Sequence, residues 1–335
     1  MIKASGLART FKARGRTVEA VRGVDLEVEA GELVGFLGPN GAGKTTTLRM
    51  LTTLLDPTAG EATVAGCDLR RDPVGVRRRI GSVAQGGGTT PELKVIEELV
   101  LQARFYGLSK ADALRRSAEL MARLDIAELD QRLIKTLSGG QRRRLDIALG
   151  LLHDPRLVFL DEPSTGLDPQ SRANLWEHIR SLRDDHDTTV FLTTHYLDEA
   201  DALCDRILVI DNGKIVAGGT PSELKSSVNG DRVEVGVSTE QVARAAELAG
   251  QLEGAHEVST VDSMVRFRVP RGDTALPELL RALDAAQIPM TSVQVHRPSL
   301  DDVFLTLTGR TLRDAEEKPA APADTEEKKE PVNVA

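Results

Sequence analysis

Apolar positions along the chain recur in two rhythms, and the switching between them predicts the order of elements. Through "VDLEVEAGELVGFLG" they come every second residue or in short runs broken by glycine, which predicts β-strands. A helical stretch follows from Gly43 to about Leu55, and "DPTAGEATVAG" reads as a turn with a short strand pair, an antiparallel patch beside a main sheet. From about Val95 to Leu133, leucines and alanines recur at three- and four-residue intervals among charges, which predicts helix. The pattern then alternates: helix 138–152, buried strand "LVFL", helix 169–183, buried strand "TTVFLTT", helix 197–203 and strand "RILVI". Strands flanked by helices in this way imply a parallel sheet covered on both faces.

"IDNGKIVAGGTPSEL" predicts a hairpin on its Asn-Gly turn, then a helix capped by Thr220 with Pro221 at the first position and Glu223 closing a capping box. The character changes near Asn229 and Gly230. Strand "RVEVGVS", helix 239–253, strands near 256–260 and 264–269, helix 274–286 and strand "TSVQVH" make a small α+β unit of βαββαβ order. Ser299 caps a short helix in "SLDDVFLTLTG" that ends at Gly309. From residue 314 the chain is mostly Glu, Lys, Pro and Ala with little to bury. The expected organisation is therefore a main domain over 1–228, an accessory α+β domain over 229–310 and a disordered tail over 311–335, without internal repeats.

Composition narrows the class. A length of 335 residues suits about two domains. The net charge of −8 gives no whole-chain reason to expect a nucleic-acid partner. Cys67 and Cys204 lack metal-ligand spacing and read as inert thiols of a reducing compartment, which points to cytoplasm. No apolar run approaches the ~20 residues of a bilayer span, and "MIKASGLARTF" lacks the apolar run of a signal peptide. Any service to a membrane is expected to pass through a partner.

Candidate chemistry begins at "TLSGGQRRRLDIALG". Ser138 and Gln141 can cap one another's orphan amides. Gly139 and Gly140 are not explained that way, since glycine within a helix costs roughly 1 kcal/mol relative to alanine. A bare first turn suits close approach of an anion to free N–H groups. "GPNGAGKTT" fits G-x-x-x-x-G-K-[ST] between a strand and a helix, so its amides can wrap phosphates, Lys44 can reach the β and γ oxygens, and Thr45 can ligate magnesium. "LVFLDE" ends a buried strand on Asp161, suited to the magnesium shell, and Glu162, suited to activating a water. His195 lies just past another buried strand and can contact the γ-phosphate, and Gln85 in "SVAQGGG" can sense magnesium and the attacking water.

In order, "GPNGAGKTT", "LSGGQ", "LVFLDEP", "STGLD" and "TTHYLDEAD" resemble the nucleotide-binding subunits of ATP-binding-cassette transporters over about residues 1–225. The resemblance implies an α/β fold: a phosphate-loop cassette with a RecA-like parallel core, an antiparallel β patch and a helical subdomain, carrying a small C-terminal α+β domain. It implies ATP and Mg2+, with catalytic roles for Glu162, His195, Gln85 and Lys44 and metal contacts from Thr45, Gln85 and Asp161. Nucleotide contacts would come from Gly38, Pro39, Asn40, Gly41, Ala42, Gly43, Lys44, Thr45 and Thr46, and from Phe11 stacking on adenine where the family more often has tyrosine.

It further implies a head-to-tail homodimer across two ATP, in which Ser138, Gly139, Gly140 and Gln141 of one copy face the nucleotide of the other and Asp168 couples the sites across the seam. A groove near Gln85, which includes "GGGTTPELKV", would pass the motion to a separate integral membrane permease subunit, placing the chain at the cytoplasmic face of the membrane. Lys94 stands where the family often has threonine.

"RRRLDIALGL", "TTHYLDEADALCDRI" and "SLDDVFLTLTG" are similar to the drug-export branch typified by daunorubicin-resistance subunits of actinobacteria, over about residues 1–310. That implies efflux of an amphipathic drug or natural product. Lipid or polysaccharide export is the alternative, and a soluble cassette ATPase acting on ribosomes or DNA is a more distant one.

Overall fold

The computed structural model describes residues 1–13, 16–184, 187–228 and 230–309; the tail expected over 311–335 lies outside them. In chain order the elements are β1 (Ile2–Ala13), β2 (Arg16–Val28), β3 (Leu33–Leu37), α1 (Lys44–Leu51), β4 (Ala59–Val64), β5 (Cys67–Asp68), α2 (Pro73–Arg79) and β6 (Ile80–Val83). Then come α3 (Val95–Phe105), α4 (Lys110–Arg123), α5 (Gly139–Leu151), β7 (Leu157–Asp161), α6 (Pro169–Asp184), β8 (Thr189–Thr194), α7 (Leu197–Leu203), β9 (Arg206–Asp211), β10 (Lys214–Gly219) and α8 (Pro221–Ser226). The last are β11 (Asp231–Val237), α9 (Val242–Gly250), β12 (His256–Val261), β13 (Met264–Val269), α10 (Gly272–Ala285), β14 (Met290–His296) and α11 (Leu300–Thr308).

The central sheet has the order β10-β9-β3-β8-β7-β6, parallel except for the β10 edge, which returns by the Asn212-Gly213 hairpin. Residues of β3, β7 and β8 are buried throughout, because both faces of the sheet are covered. Alternate residues feed two cores. Val34, Phe36, Phe159 and Phe191 pack toward the antiparallel sheet β2-β1-β4-β5, whereas Leu33, Val158, Leu160, Val190 and Leu192 pack with Leu145 and Ile147 of α5 and Leu175 and Ile179 of α6.

Three helical expectations were too long, that over 239–253 being confined to Val242–Gly250. The stretch expected to run to Leu55 ends at Leu51, where Thr52 caps the helix and Thr53 turns left-handed (φ +62°). The run over 95–133 is interrupted at Gly107, with φ +88°, after which Ser109 accepts from the Asp112 amide and starts α4. Capping boxes form as expected at Ser138 and Gln141, at Thr220 and Glu223, and also at Ser299 with Asp302.

The third sheet, β12-β13-β11-β14, is antiparallel and forms its own core from Val233, Val235, Val265, Phe267, Leu279 and Leu283. Helix α11 leaves that unit. Its Leu300, Val303 and Phe304 join Leu203, Leu224 and Val228 in the core under the central sheet. Among the described residues 230–309, β11 to β14 with α9 and α10 thus form a core of their own, while α11 packs with the first core. Phe304→Ala is expected to destabilise the main domain by about 3 to 5 kcal/mol in urea unfolding. Leu305→Ala, at an exposed position of the same helix, should stay within about 0.5 kcal/mol; equal effects would mean that α11 is not part of that core.

Candidate nucleotide site

The loop from Gly38 to Gly43 joins the buried end of β3 to the start of α1. A Cβ on Gly38 would lie 2.3 Å from the Ile210 carbonyl oxygen, so the loop can cross β9 only with glycine there. Gly43 takes φ +107° at the N-cap of α1 and supplies no side-chain cap. The first amides of α1 therefore face outward without an internal acceptor from a capping side chain, which is the arrangement that receives phosphate. Asn40, Gly41, Gly43, Lys44, Thr45, Thr46, Gln85 and Glu162 line a cavity of about 200 Å³ here, with Ala20 of β2 on its wall.

Below the loop, β7 and β8 run in parallel register and set Asp161 opposite Thr193. One carboxylate oxygen of Asp161 accepts from the Thr193 hydroxyl at 2.6 Å and from the Thr45 hydroxyl at 3.1 Å. Glu162 follows in a left-handed conformation, φ +43°, held by its amide donating to the backbone and side-chain oxygens of Thr193 at 3.1 and 3.0 Å. Such a backbone in a non-glycine residue is costly and persists only where the surroundings impose it.

The Glu162 carboxylate is the meeting point of the site. Its Oε2 accepts from Gln85 Nε2 at 2.7 Å and from the Thr165 hydroxyl at 3.3 Å. Its Oε1 lies 3.3 Å from both Lys44 Nζ and His195 Nδ1. Burial would raise this carboxyl, but His195 and Lys44 together outweigh it and hold the group at about 2. Lys44 also donates to the carbonyls of Gly38 and Pro39 at 2.7 and 3.1 Å. The four residues expected to be catalytic, Lys44, Gln85, Glu162 and His195, are thus within one cluster drawn from four separate segments.

Other expected residues stand apart from this cavity. Phe11 projects from β1, 37% exposed, with the Arg9 guanidinium 4.8 Å from its ring centre, and it does not line the cavity. Ser138 and Gly139 are exposed at the start of α5, and Gln141 returns its side-chain oxygen to the Ser138 amide at 3.0 Å. Asp168 caps α6, accepting from the Ser171 amide and hydroxyl at 2.9 and 2.6 Å, which holds its carboxyl below the usual range. The two signature glycines differ. A Cβ on Gly140 would lie 2.9 Å from Ser171 Oγ, an internal reason for glycine; on Gly139 it would meet only Leu167 at 3.7 Å, an ordinary contact.

Sequence reasoning missed Thr193, Thr165 and Arg143. Arg143 is buried and donates to the carbonyls of Pro163, Ala84 and Asp161 at 2.8, 2.7 and 2.9 Å, so it ties α5 to both acid and glutamine loops. Its place one helical turn before the buried Ile147 was the signal that it points inward. No cluster of three or more His, Cys, Asp or Glu that could hold a metal occurs among the described residues, and no helix there is long and apolar enough to cross a membrane.

The ABC transporter profile matches residues 21–165, and that of the ATP-binding protein DrrA1-3-like C-terminal domain matches residues 219–308. Daunorubicin resistance ATP-binding protein DrrA2 of Streptomyces coeruleorubidus is 42% identical over 94% of this chain and 98% of its own. Daunorubicin/doxorubicin resistance ATP-binding protein DrrA of Streptomyces peucetius is 44% identical over 96% of this chain and 96% of its own. Among solved structures, the dimeric post-hydrolysis state of the ATP-binding cassette MJ0796 bound to ADP and Pi aligns with a TM-score of 0.61 at 26% identity, over 66% of this chain and 98% of that one. A phosphate loop facing a buried acid pair, and a likeness that spans nearly the whole chain, place it plainly: it belongs to the ABC transporter ATP-binding subunits, in the branch of the daunorubicin-resistance proteins, and is an ATPase.

Proposed function

We propose that this ATPase works as a head-to-tail homodimer closed on two ATP, powers a separate integral membrane permease from the cytoplasmic face of the membrane, and thereby drives efflux of an amphipathic drug or natural product. The observation that carries the chemistry is the ionised Glu162 carboxylate set among Lys44, Gln85 and His195. Phosphoryl transfer to water needs positioning and charge neutralisation more than covalent work. A γ-phosphate competes with Glu162 for the Lys44 ammonium, and its arrival raises the basicity of a carboxylate that the lysine had suppressed. Glu162 then orients the water and takes its proton, Gln85 fixes the carboxylate, and His195 steadies the γ-phosphate.

The Thr45 hydroxyl beside the Asp161 carboxylate, with Gln85 nearby, is an oxygen set that fits magnesium, which takes few protein ligands and keeps water and phosphate oxygens. Bound there, Mg2+ would screen the phosphate charge. Gly139 supports the dimer: nothing within its own chain requires a missing side chain at that exposed helix start, so the requirement is assigned to the nucleotide of a second copy, together with Ser138, Gly140 and Gln141. Phe11 is assigned to the adenine and Asp168 to the seam. The drug cargo is supported by the resistance functions named for both Streptomyces relatives.

Three outcomes test this reading. Glu162→Gln should retain ATP binding, lose about 100-fold or more of phosphate release and accumulate a closed dimer in light scattering; unchanged phosphate release removes Glu162 from catalysis. Gly139→Asp places an acid in the first turn of α5, where the helix dipole favours it, so its melting temperature and single-copy ATP affinity should match the wild type while hydrolysis falls more than tenfold. Full hydrolysis by that variant would deny the shared seam. For the nucleotide-free protein, Glu162 is held at about 2, below its unfolded value, so its stabilising contribution is present above pH ~4.5 and fades as pH falls toward 2. The stability gap between wild type and Glu162→Gln, on the order of 2 kcal/mol at pH 7, should therefore shrink steadily below pH 4.5; a gap constant with pH would contradict the charge network.

A further inference from the structure

Beyond the nucleotide site, a second cavity of about 190 Å³ opens between α3, α5 and the glycine loop that follows Gln85. Glu98 and Gln102 line it from one face of α3, and Tyr106 lines it from the C-cap of that helix. Asp146, Leu149 and Gly150 line it from α5, and Gly87 and Gly88 form the open lip. Glu98 and Asp146 are only 8% and 9% exposed. Glu98 Oε2 and Asp146 Oδ1 are both buried without a hydrogen-bond partner. The nearby cations are engaged elsewhere: Arg143 donates to three backbone carbonyls, and Arg142 donates to the Thr89 hydroxyl at 3.0 Å. Two carboxylates that line one cavity, each with a buried oxygen lacking a donor, are a costly arrangement for an isolated protein.

The surroundings describe what meets them. Beyond Glu98, Leu101 and Phe105 of α3 and Tyr106 at its C-cap are exposed, Phe105 to 76%, so apolar side chains lie beside an acidic pocket. A bare glycine loop on the opposite rim allows a partner's backbone close in, since a Cβ on Gly88 would meet nothing within 4 Å. The cavity, of about 190 Å³, has room for one long side chain. A divalent metal finds no set of three or more protein ligands among the described residues.

We infer that this groove receives a single arginine or lysine, carried on an amphipathic segment of the membrane subunit and gripped by Glu98 and Asp146. The inference rests on the proposed reading that the region after Gln85 meets that subunit, and it adds the chemistry of the contact. The guanidinium or ammonium supplies the donors that both carboxylates lack, and the apolar residues of the same segment cover Leu101, Phe105 and Tyr106. The isolated subunit carries a cost that docking relieves. Burial pushes the Asp146 carboxyl up to about 6 against the pull of Arg143 and Arg142, with Glu98 of α3 and Tyr106 at its C-cap the titratable groups facing it across the cavity. Its folded value lies above its unfolded one, so stability is lost as pH rises through that range and is missing at pH 8.

The test is co-expression of the tagged chain with the polytopic membrane protein encoded beside it, followed by detergent extraction and capture. Wild type should retain the membrane protein. The double variant Glu98→Gln, Asp146→Asn should retain at least tenfold less, while its own ATP hydrolysis stays within twofold and its melting temperature at pH 8 is equal or higher. Undiminished capture by the double variant, with wild-type capture intact, overturns the cation contact and leaves the docking reading standing. A lowered melting temperature marks the carboxylates as structural and overturns the inference as well. Failure of the wild type to capture the membrane protein removes the docking reading itself, and this inference with it.

Discussion

Two adjacent carboxylates at the carboxyl end of a fully buried strand are the constraint around which this molecule is arranged. Asp161 and Glu162 are 4% and 7% exposed, and charges so placed are tolerated only if donors and cations surround them. Thr193 and Thr45 serve Asp161, while Gln85, Thr165, Lys44 and His195 serve Glu162. Those partners come from the phosphate loop, the glutamine loop, β8 and the turn after β7. Satisfying two acids therefore fixes the phosphate loop, the glutamine loop and the segments that follow β7 and β8 relative to one another.

Helix α5 carries this arrangement outward. Its exposed start holds Ser138 and Gly139, its second turn sends Arg143 to the carbonyls of Ala84, Asp161 and Pro163, and its next turn places Asp146 in the groove beside α3. Eight residues separate Ser138 from Asp146, about 12 Å along a helix. A rigid element of that length, fastened in the middle to the catalytic loops, links the proposed dimer seam to the proposed membrane contact without any intervening hinge.

The far end of the described chain is organised by the same economy of burial. The third sheet closes a core with α9 and α10, yet α11 turns its apolar residues back under the central sheet beside α7 and α8. Leu300, Val303 and Phe304 complete a surface that Leu203, Leu224 and Val228 would otherwise expose. The accessory unit is consequently held at both of its ends, by the link after α8 and by α11.

What could be read from the residues in order was whatever physics settles within a few positions. The phosphate loop, the Asn-Gly hairpin, the capping boxes at Ser138 and Thr220, and the apolar strands all depend on neighbours no more than one turn or one pleat away. The order of the motifs carried the resemblance to ABC cassettes and, through it, the four catalytic candidates; locally, Gln85 is an ordinary amide and His195 a histidine at a strand end. The tertiary structure alone decided which distant groups meet. Thr193 reaches Asp161 across 32 residues and Arg143 reaches Ala84 across 59, Glu98 and Asp146 come to share one cavity, Phe11 stays off the cavity wall, and α11 returns to the first core. Those outcomes follow from sheet register and helix packing, which depend on the burial of the whole chain and not on neighbours in sequence.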